Sequence, residues 1–247
     1  MTTDRAATLS PLESYWRQSR LPLTSLAFVS PLLVLYEAGM LLAGPQALRN
    51  GADVWLRQLL DVLGLSQYLL LPALTAGILL AWHHTTGERW RVSPPVLYGM
   101  AAESLALAVC LVGIARAQGS LLSLDGQPWT AATAEAPGFF SRLVLYIGAG
   151  IYEELLFRLI LLSLLAWTVR SCGATRGQSY AAAIVVTSVL FSLAHYVGPH
   201  GDEIRLASFV FRSLAGAFFA ALFVVRGFGI AVGAHAGYDI LAGLLGA

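Results

Sequence analysis

The sequence predicts an all-α fold, a polytopic transmembrane helical bundle of seven to eight spans. Of its 247 residues, 57% are hydrophobic and 12% are charged, and the mean hydropathy is +0.70. An average soluble domain carries about 25% charged residues, so this composition excludes an ordinary water-soluble protein. The apolar residues occur in runs of about 20, the length that a helix needs to cross a bilayer, and short polar segments separate these runs.

Three parts are predicted along the chain. Residues 1–22 form a polar N-terminal segment, residues 23–138 contain the N-terminal transmembrane helices and loops, and residues 139–247 form the C-terminal transmembrane core. Asp53 to Leu63 combines charged residues with Val, Trp and Leu at helical spacing, which indicates a helix in the membrane interface. The predicted spans are Thr24–Ala43, Leu65–Trp82, Val96–Ala115, Phe139–Arg170, Gln178–Val197, Ile204–Val225 and Phe228–Ala247.

The fourth predicted span, Phe139–Arg170, is longer than one straight crossing of the bilayer requires. An apolar helix of about 30 residues must tilt, protrude or break. The number of spans therefore rises from seven to eight if this segment divides, or if the interfacial helix inserts.

The net charge and the cysteine content exclude several kinds of function. The net charge is +1, so the chain lacks the basic surface that a nucleic-acid partner requires. Every basic residue is Arg, which excludes a lysine Schiff base, and Cys110 and Cys172 form neither a disulfide framework nor a metal motif. His83, His84 and His200 are expected to lie in loops.

The first span is expected to remain in the protein as its targeting element, because the residues before Pro22 are acidic as well as basic, unlike a cleaved signal peptide. With a cytoplasmic N-terminus, the cytoplasmic loops hold about eight Arg against about five on the opposite side, as the positive-inside rule favours. We therefore expect a multi-pass protein of a cell membrane, such as a bacterial inner membrane, with its N-terminus in the cytoplasm.

Charged residues interrupt the fourth predicted span. Glu153, Glu154 and Arg158 lie between apolar stretches, where a charged residue costs roughly 2.5–3.5 kcal/mol on insertion scales and marks function by default. On a helix, Glu154 and Arg158 are four positions apart in the favourable order for an ion pair. Glu153 points about 100° away from Glu154, so that pair leaves the Glu153 carboxylate available.

Two later spans contribute histidines. His195 follows Phe191-Ser-Leu-Ala in the fifth span, and the last span places His235 four positions before Asp239. Gly233 and Gly237 flank His235 at the spacing that lets another helix approach closely.

Arg212, in the sixth span, is expected to pair with Glu103 or Glu37 as internal support. Because polar groups in hydrocarbon must find partners or water, one shared interior site is predicted. Its residues are Glu153, Glu154, Arg158, His195, His235 and Asp239.

The residues alone support more than one chemistry at this site. Two carboxylates and two imidazoles are suited to general acid–base catalysis on water. Glu153, His195 and His235 are also a recurrent set of zinc ligands, although the chain has no HExxH sequence. Buried Glu, Asp and His chains also relay protons or bind cations in transporters, so hydrolysis and translocation are equally supported.

The ordered motifs resemble the CPBP family of intramembrane proteases, which includes CAAX prenyl proteases and bacteriocin-processing enzymes and is also called the Abi family. Glu153-Glu154-Leu-Leu-Phe-Arg158, Phe191-Ser-Leu-Ala-His195 and His235-Ala-Gly-Tyr-Asp239 carry the resemblance, which covers about Phe139 to Ala247. It implies that residues 139–247 are the catalytic core. An isolated EExxxR sequence is a weak signal, but the three motifs in order are a specific one.

The resemblance also implies roles for the six residues. Glu153 corresponds to the catalytic glutamate and His195 to the histidine that helps it to activate water, while Glu154 and Arg158 correspond to a supporting ion pair. His235 and Asp239 stand in the motif where a His and usually an Asn stabilise the oxyanion. An ionised Asp cannot donate to an oxyanion, so Asp239 is either protonated, or orients His235, or contributes to a metal site.

We therefore expect an intramembrane endopeptidase that uses Glu/His-activated water on a membrane-embedded or membrane-anchored protein or peptide, with the lipid bilayer as its surroundings. No cofactor is required by this reading, and a divalent metal such as zinc remains an alternative. A transporter is the competing function, and a non-enzymatic membrane scaffold is a third.

Overall fold

The computed structural model describes residues 10–44, 47–65, 68–122, 138–198 and 201–245. The predicted all-α fold is confirmed, since the residues in these ranges contain helices and no strand. Ten α-helices and one π-helical segment follow one another. They are α1 Pro11–Ser19, α2 Pro22–Ala43, α3 Gly51–Val62, α4 Leu70–Thr86, α5 Pro94–Leu122, α6 Phe139–Glu153, the π-helical segment Glu154–Leu162, α7 Ser163–Ser171, α8 Arg176–Ala194, α9 Leu206–Arg226 and α10 Phe228–Leu245.

Five of these helices, namely α2, α5, α8, α9 and α10, are long and apolar enough to cross a membrane. They correspond to the first, third, fifth, sixth and seventh predicted spans. The second predicted span is the 17-residue α4, and the fourth is divided among segments of 15, 9 and 9 residues. Five candidate spans are thus established among the described residues, and the total of seven to eight stays a prediction.

The structure shifts α4 toward the C-terminus relative to the prediction. The helix continues to Thr86 and ends at Gly87, whose φ of 68° provides a left-handed cap. The expectation that His83 and His84 lie in a loop is therefore wrong. His83 is fully buried, and its ring lies edge-on to Trp90 at 4.9 Å between centroids. His200 lies outside the described residues.

The long fourth segment departs from a regular α-helix at the charged motif. The π-helical segment begins at Glu154, directly after α6, and α7 follows it without a gap. Such segments are rare and frequently lie at functional sites. This overlong span was expected to tilt, protrude or break, and its departure from a regular α-helix lies at the residues that were singled out for their charge.

Helix α10 lies at the centre of the bundle, packed against α2, α5, α6 and α9. The predicted close approach at Gly233 and Gly237 is confirmed, and α5 is the helix that makes it. A β-carbon at Gly233 would lie 2.5 Å from Ser104 Oγ, and one at Gly237 would lie 3.2 Å from Ala108 Cβ. This packing places His235, between the two glycines, inside the bundle.

Gly150 allows α6 to lie equally close to α10. A β-carbon at this position would lie 2.8 Å from the backbone nitrogen of Ala236, closer than real β-carbons come. Gly150 precedes Glu153 by less than one helical turn, and Ala236 follows His235. The absence of a side chain at Gly150 therefore brings the carboxylate motif and the last histidine together.

Glu103 and Glu37 have partners other than the expected one. Arg226, at the end of α9, donates to Glu103 at 2.5 and 2.7 Å, and Arg57 donates to Glu37 at 3.1 Å. Arg212 contacts Asp202. The prediction that Arg212 pairs with Glu103 or Glu37 was wrong, because Arg212 and Arg226 lie almost four turns apart on α9 and Arg226 is level with Glu103.

Candidate active site

The structure brings the six predicted site residues into one connected group. Glu153 ends α6, Glu154 and Arg158 lie in the π-helical segment, His195 follows the last residue of α8, and His235 and Asp239 lie one turn apart in α10. Every member lies within 3.9 Å of another member.

Glu153 uses its two carboxylate oxygens differently. Oε1 accepts a hydrogen bond of 2.7 Å from Asn50 Nδ2. Oε2 lies 3.9 Å from His195 Nε2 and 3.8 Å from His235 Nε2, and it is buried without a hydrogen-bond partner among the described residues. One oxygen is thus held by an amide, while the other faces both imidazoles.

Glu154 is fully buried and has two partners. Its Oε1 lies 3.0 Å from Arg158 Nη1, so the contact predicted between these residues is present, and the same oxygen accepts from His235 Nδ1 at 2.7 Å. Arg158 also donates from Nη2 to the Gly216 carbonyl of α9 at 3.1 Å. Glu154 therefore connects the first motif to the last one instead of serving Arg158 alone.

The hydrogen bonds at Nδ1 of His195 and His235 determine which ring nitrogen carries the proton when each imidazole is neutral. His195 Nδ1 lies 2.8 Å from the Phe191 carbonyl, and His235 Nδ1 lies 2.7 Å from Glu154 Oε1. A carbonyl or a carboxylate can only accept, so each Nδ1 carries a proton and each neutral ring has an acceptor at Nε2. Both acceptors point toward Glu153 Oε2.

Asp239 lies beside His235, at 3.7 Å between Oδ2 and Nε2. A carboxylate at this distance can orient the ring or balance its charge when the ring is protonated. The side chains of Asp239 and His195 are 21% and 28% exposed, whereas those of Glu153 and His235 are 10% and 4% exposed. The group is therefore accessible from the side of His195 and Asp239.

Aromatic rings hold the histidines and the arginine in place. Phe219 stacks on His235 with 4.3 Å between centroids and 12° between planes. Phe191 lies edge-on to His195 at 4.9 Å and 4.4 Å from the Arg158 guanidinium carbon. Neither Phe219 nor Asn50 was predicted as part of the site, because an apolar residue in a span and a polar residue before a helix are ordinary there.

The fit to a metal ion is weak. Among the residues that the structure describes, no group of three or more His, Cys, Asp and Glu side chains has the arrangement of a metal site. Hydrogen bonds at both Nδ1 atoms leave each Nε2 free to bind an ion, as in most histidine metal sites, whereas Glu153 Oε1 is held by Asn50, so only Oε2 could join them. The set Glu153, His195 and His235 stays a prediction from the sequence, and no reaction step is assigned to a metal.

Residues 135–241 match a family model described as Rce1-like, a type II CAAX prenyl endopeptidase family. The matched region contains all six residues of the group and excludes Asn50. No curated protein and no solved structure matches the chain. Together with the five apolar helices, the match indicates a multi-pass membrane protein, and it favours an endopeptidase over the transporter that the residues alone left equally possible.

Proposed function

We propose that the chain is a CPBP-type intramembrane protease, as the match of residues 135–241 to the Rce1-like family model suggests, and that it hydrolyses a peptide bond with a water activated by Glu153 and His195. The bond lies within or beside a membrane segment of a protein or peptide substrate. The observation that carries this proposal is the position of Glu153 Oε2, buried and facing two imidazole nitrogens.

The spacing of these atoms suits a bridging water. The distances of 3.9 and 3.8 Å from Oε2 to the two Nε2 atoms are too long for direct hydrogen bonds. A polar contact of this length is commonly bridged by a water, and a general base must reach the proton that it removes directly or through one water. Such a water donates one hydrogen bond to Glu153 Oε2 and the other to His195 Nε2.

Each residue then has a defined task. Glu153 takes the proton as the water oxygen bonds to the scissile carbonyl carbon, whose oxygen becomes the oxyanion. When the carbon–nitrogen bond breaks, that proton passes to the leaving amine, which restores the Glu153 carboxylate. His235 donates to the oxyanion only when it is protonated at both nitrogens, since its Nδ1 proton is held by Glu154. Glu154 and Asp239 balance that added charge.

The substrate class follows from the surroundings of the group. Helices α8 and α10, which position its two histidines, are long and apolar enough to cross a membrane, and this supports a scissile bond in a chain that is embedded in or anchored to the bilayer. The family name refers to prenylated CAAX proteins. For this chain we propose the broader class of membrane-anchored proteins and peptides, including bacteriocin leaders and anchored surface proteins.

The test compares cells that express the wild-type protein with cells that express Glu153→Gln or His195→Ala. Mass spectrometry of membrane-anchored peptides should find cleavage products only with the wild type, while both variants reach the membrane in normal amounts. Glu203→Gln and His84→Ala change exposed residues of the same types and should retain the products. Full cleavage by Glu153→Gln would contradict the proposal, as would pH-dependent ion flux in liposomes without any cleaved product.

A further inference from the structure

The segment that precedes α3 reaches into the candidate active site. Asn50 is 103 positions away from Glu153 in the chain, yet its side-chain amide donates to Glu153 Oε1 at 2.7 Å. It is the only asparagine in the sequence, and it lies outside the residues that match the family model. The last motif carries Asp239 where the resemblance leads one to expect Asn.

We propose that Asn50 is a positioning residue for the general base, which holds Glu153 Oε1 so that Oε2 is the oxygen that faces both imidazoles. This inference rests on the proposed function of Glu153. It assigns a part of the catalytic arrangement to the N-terminal half of the chain, which otherwise supplies only spans and the interfacial helix.

The orientation of the Asn50 amide is set by a second hydrogen bond. Its Oδ1 accepts from the backbone N–H of Ala52 at 2.9 Å, and this caps the N-terminus of α3. The amide oxygen is thereby committed to the helix, so Nδ2 is the atom left to face Glu153. The reverse orientation would place two oxygens against each other and break both contacts.

A buried polar cluster holds α3, and with it Asn50, against α2 and α6. Asp53 accepts from Tyr36 at 2.8 Å and from Arg57 at 2.7 Å. Arg57 reaches Glu37 at 3.1 Å, and Glu37 accepts from Tyr152 at 2.5 Å. Tyr152 is the residue before Glu153, so this chain of contacts fixes the backbone on both sides of the Asn50–Glu153 hydrogen bond.

The alternative role for Asn50 is helix capping alone, and the side-chain chemistry separates the two roles. Ser and Asp cap helices about as well as Asn does. A serine at position 50 is too short to reach Glu153, and an aspartate has the shape of asparagine but offers a second negative charge in place of a donor. Asn50→Ser and Asn50→Asp therefore keep the cap and remove the amide.

The experiment measures kcat, KM and the apparent Tm of purified Asn50→Ser, Asn50→Asp and Asn50→Ala. Its substrate is a quenched-fluorescent peptide built on the cleavage site that the comparison with Glu153→Gln cells identifies. Asn50→Ser should keep the wild-type KM while kcat falls roughly 10- to 100-fold, since misplacement of a reacting group by about 1 Å has effects of this size. Its Tm should fall less than that of Asn50→Ala, because the serine loses one buried hydrogen bond but keeps the helix cap. Asn50→Asp should lose at least as much kcat, and Asn50→Ala should lose both kcat and thermal stability.

Thr175→Ala is the matched control. Thr175 caps α8 through a bond to the Gln178 N–H, so its loss should lower Tm and leave kcat unchanged. If Asn50→Ser and Asn50→Asp retain wild-type kcat, or if they change KM alone, the positioning role is wrong. If instead Glu153→Gln cleaves the same peptide, the proposed function itself fails, and the two failures are thereby distinguished.

Discussion

His235 donates from Nδ1 to Glu154 Oε1 at 2.7 Å, which joins the last motif of the chain to the first one. The same oxygen lies 3.0 Å from Arg158, so Glu154 serves two partners from one buried position. This bond determines which nitrogen of His235 carries the proton, and hence what its Nε2 presents to Glu153 and to the substrate.

Glu154→Gln should lower kcat by roughly 10²- to 10⁴-fold, as expected when a carboxylate that sets a histidine tautomer becomes an amide. The amide can present its NH₂ group to His235 Nδ1 and so move the ring proton to Nε2. Steady-state kinetics with the peptide substrate measure the loss. Wild-type kcat in Glu154→Gln would show that Glu154 does not control the His235 ring.

Arg158 should be essential for stability, because it is 1% exposed and lies beside the fully buried Glu154. Removal of one partner of a buried ion pair costs about 3–5 kcal/mol, since the other charge stays buried without compensation. Arg158→Met should therefore lower the Tm sharply, and Arg170→Met, at an exposed position in α7, should not.

The double variant Glu154→Gln/Arg158→Met separates charge from packing. It removes both charges together, so it should recover part of the stability that Arg158→Met loses. Thermal unfolding of the wild type, the two single variants and the double variant in detergent gives the coupling free energy between the two side chains. Additive losses in the double variant would contradict an ion pair that matters for stability.

Gly150→Ala should impair the site by pushing α6 away from α10. Its β-carbon would meet Ala236 at 2.7 to 2.8 Å, and the neighbouring residues are Glu153 on one helix and His235 on the other. Both kcat and Tm should fall. Gly113→Ala in α5 has nothing within 4 Å of the added carbon, so it should be neutral or stabilising by up to about 1 kcal/mol. Wild-type kinetics in Gly150→Ala would contradict the importance of this contact.

Metal removal should leave activity unchanged within about twofold, because no group of side chains among the described residues has a metal-site arrangement. Elemental analysis of the purified protein, followed by assays after dialysis against a chelator, measures this. Stoichiometric zinc, with activity lost to the chelator and restored by zinc, would instead support the ligand set Glu153, His195 and His235.

The predicted orientation has a direct test in the native cysteine that follows α7. Arg20, Arg176 and Gly227 line one cavity of about 420 Å³, so the ends of the helices beside them lie at one face of the bundle. Cys172 is exposed near Arg176, and exposed Glu203 lies beyond the far end of α8. With a cytoplasmic N-terminus, a membrane-impermeant maleimide should label Cys172 only in lysed cells.

Glu203→Cys, in a chain whose native cysteines are replaced by Ala, should be labelled in intact cells. The reverse pattern would place the N-terminus outside the cell. It would also place the accessible side of the candidate site, at His195, in the cytoplasm.

The sequence by itself determined the class of fold, and it predicted six site residues that the structure places in one group. Apolar runs of bilayer length have few alternatives to helices, since backbone polar groups in hydrocarbon must be satisfied within the segment. Glu153, His195 and His235 stood out for a related reason, because charged and polar side chains in such runs are costly without a function.

Only the tertiary structure decided how these residues are connected. The second partner of Glu154 depends on how close α6 and α10 come, and the small contact at Gly150 and Ala236 sets that distance. Phe219 was one apolar residue among many until helix packing placed it on His235. Asn50 resembled an ordinary helix cap until the fold of α3 carried it to Glu153, because hydrogen bonds between residues distant in the chain leave no periodic signal in the sequence.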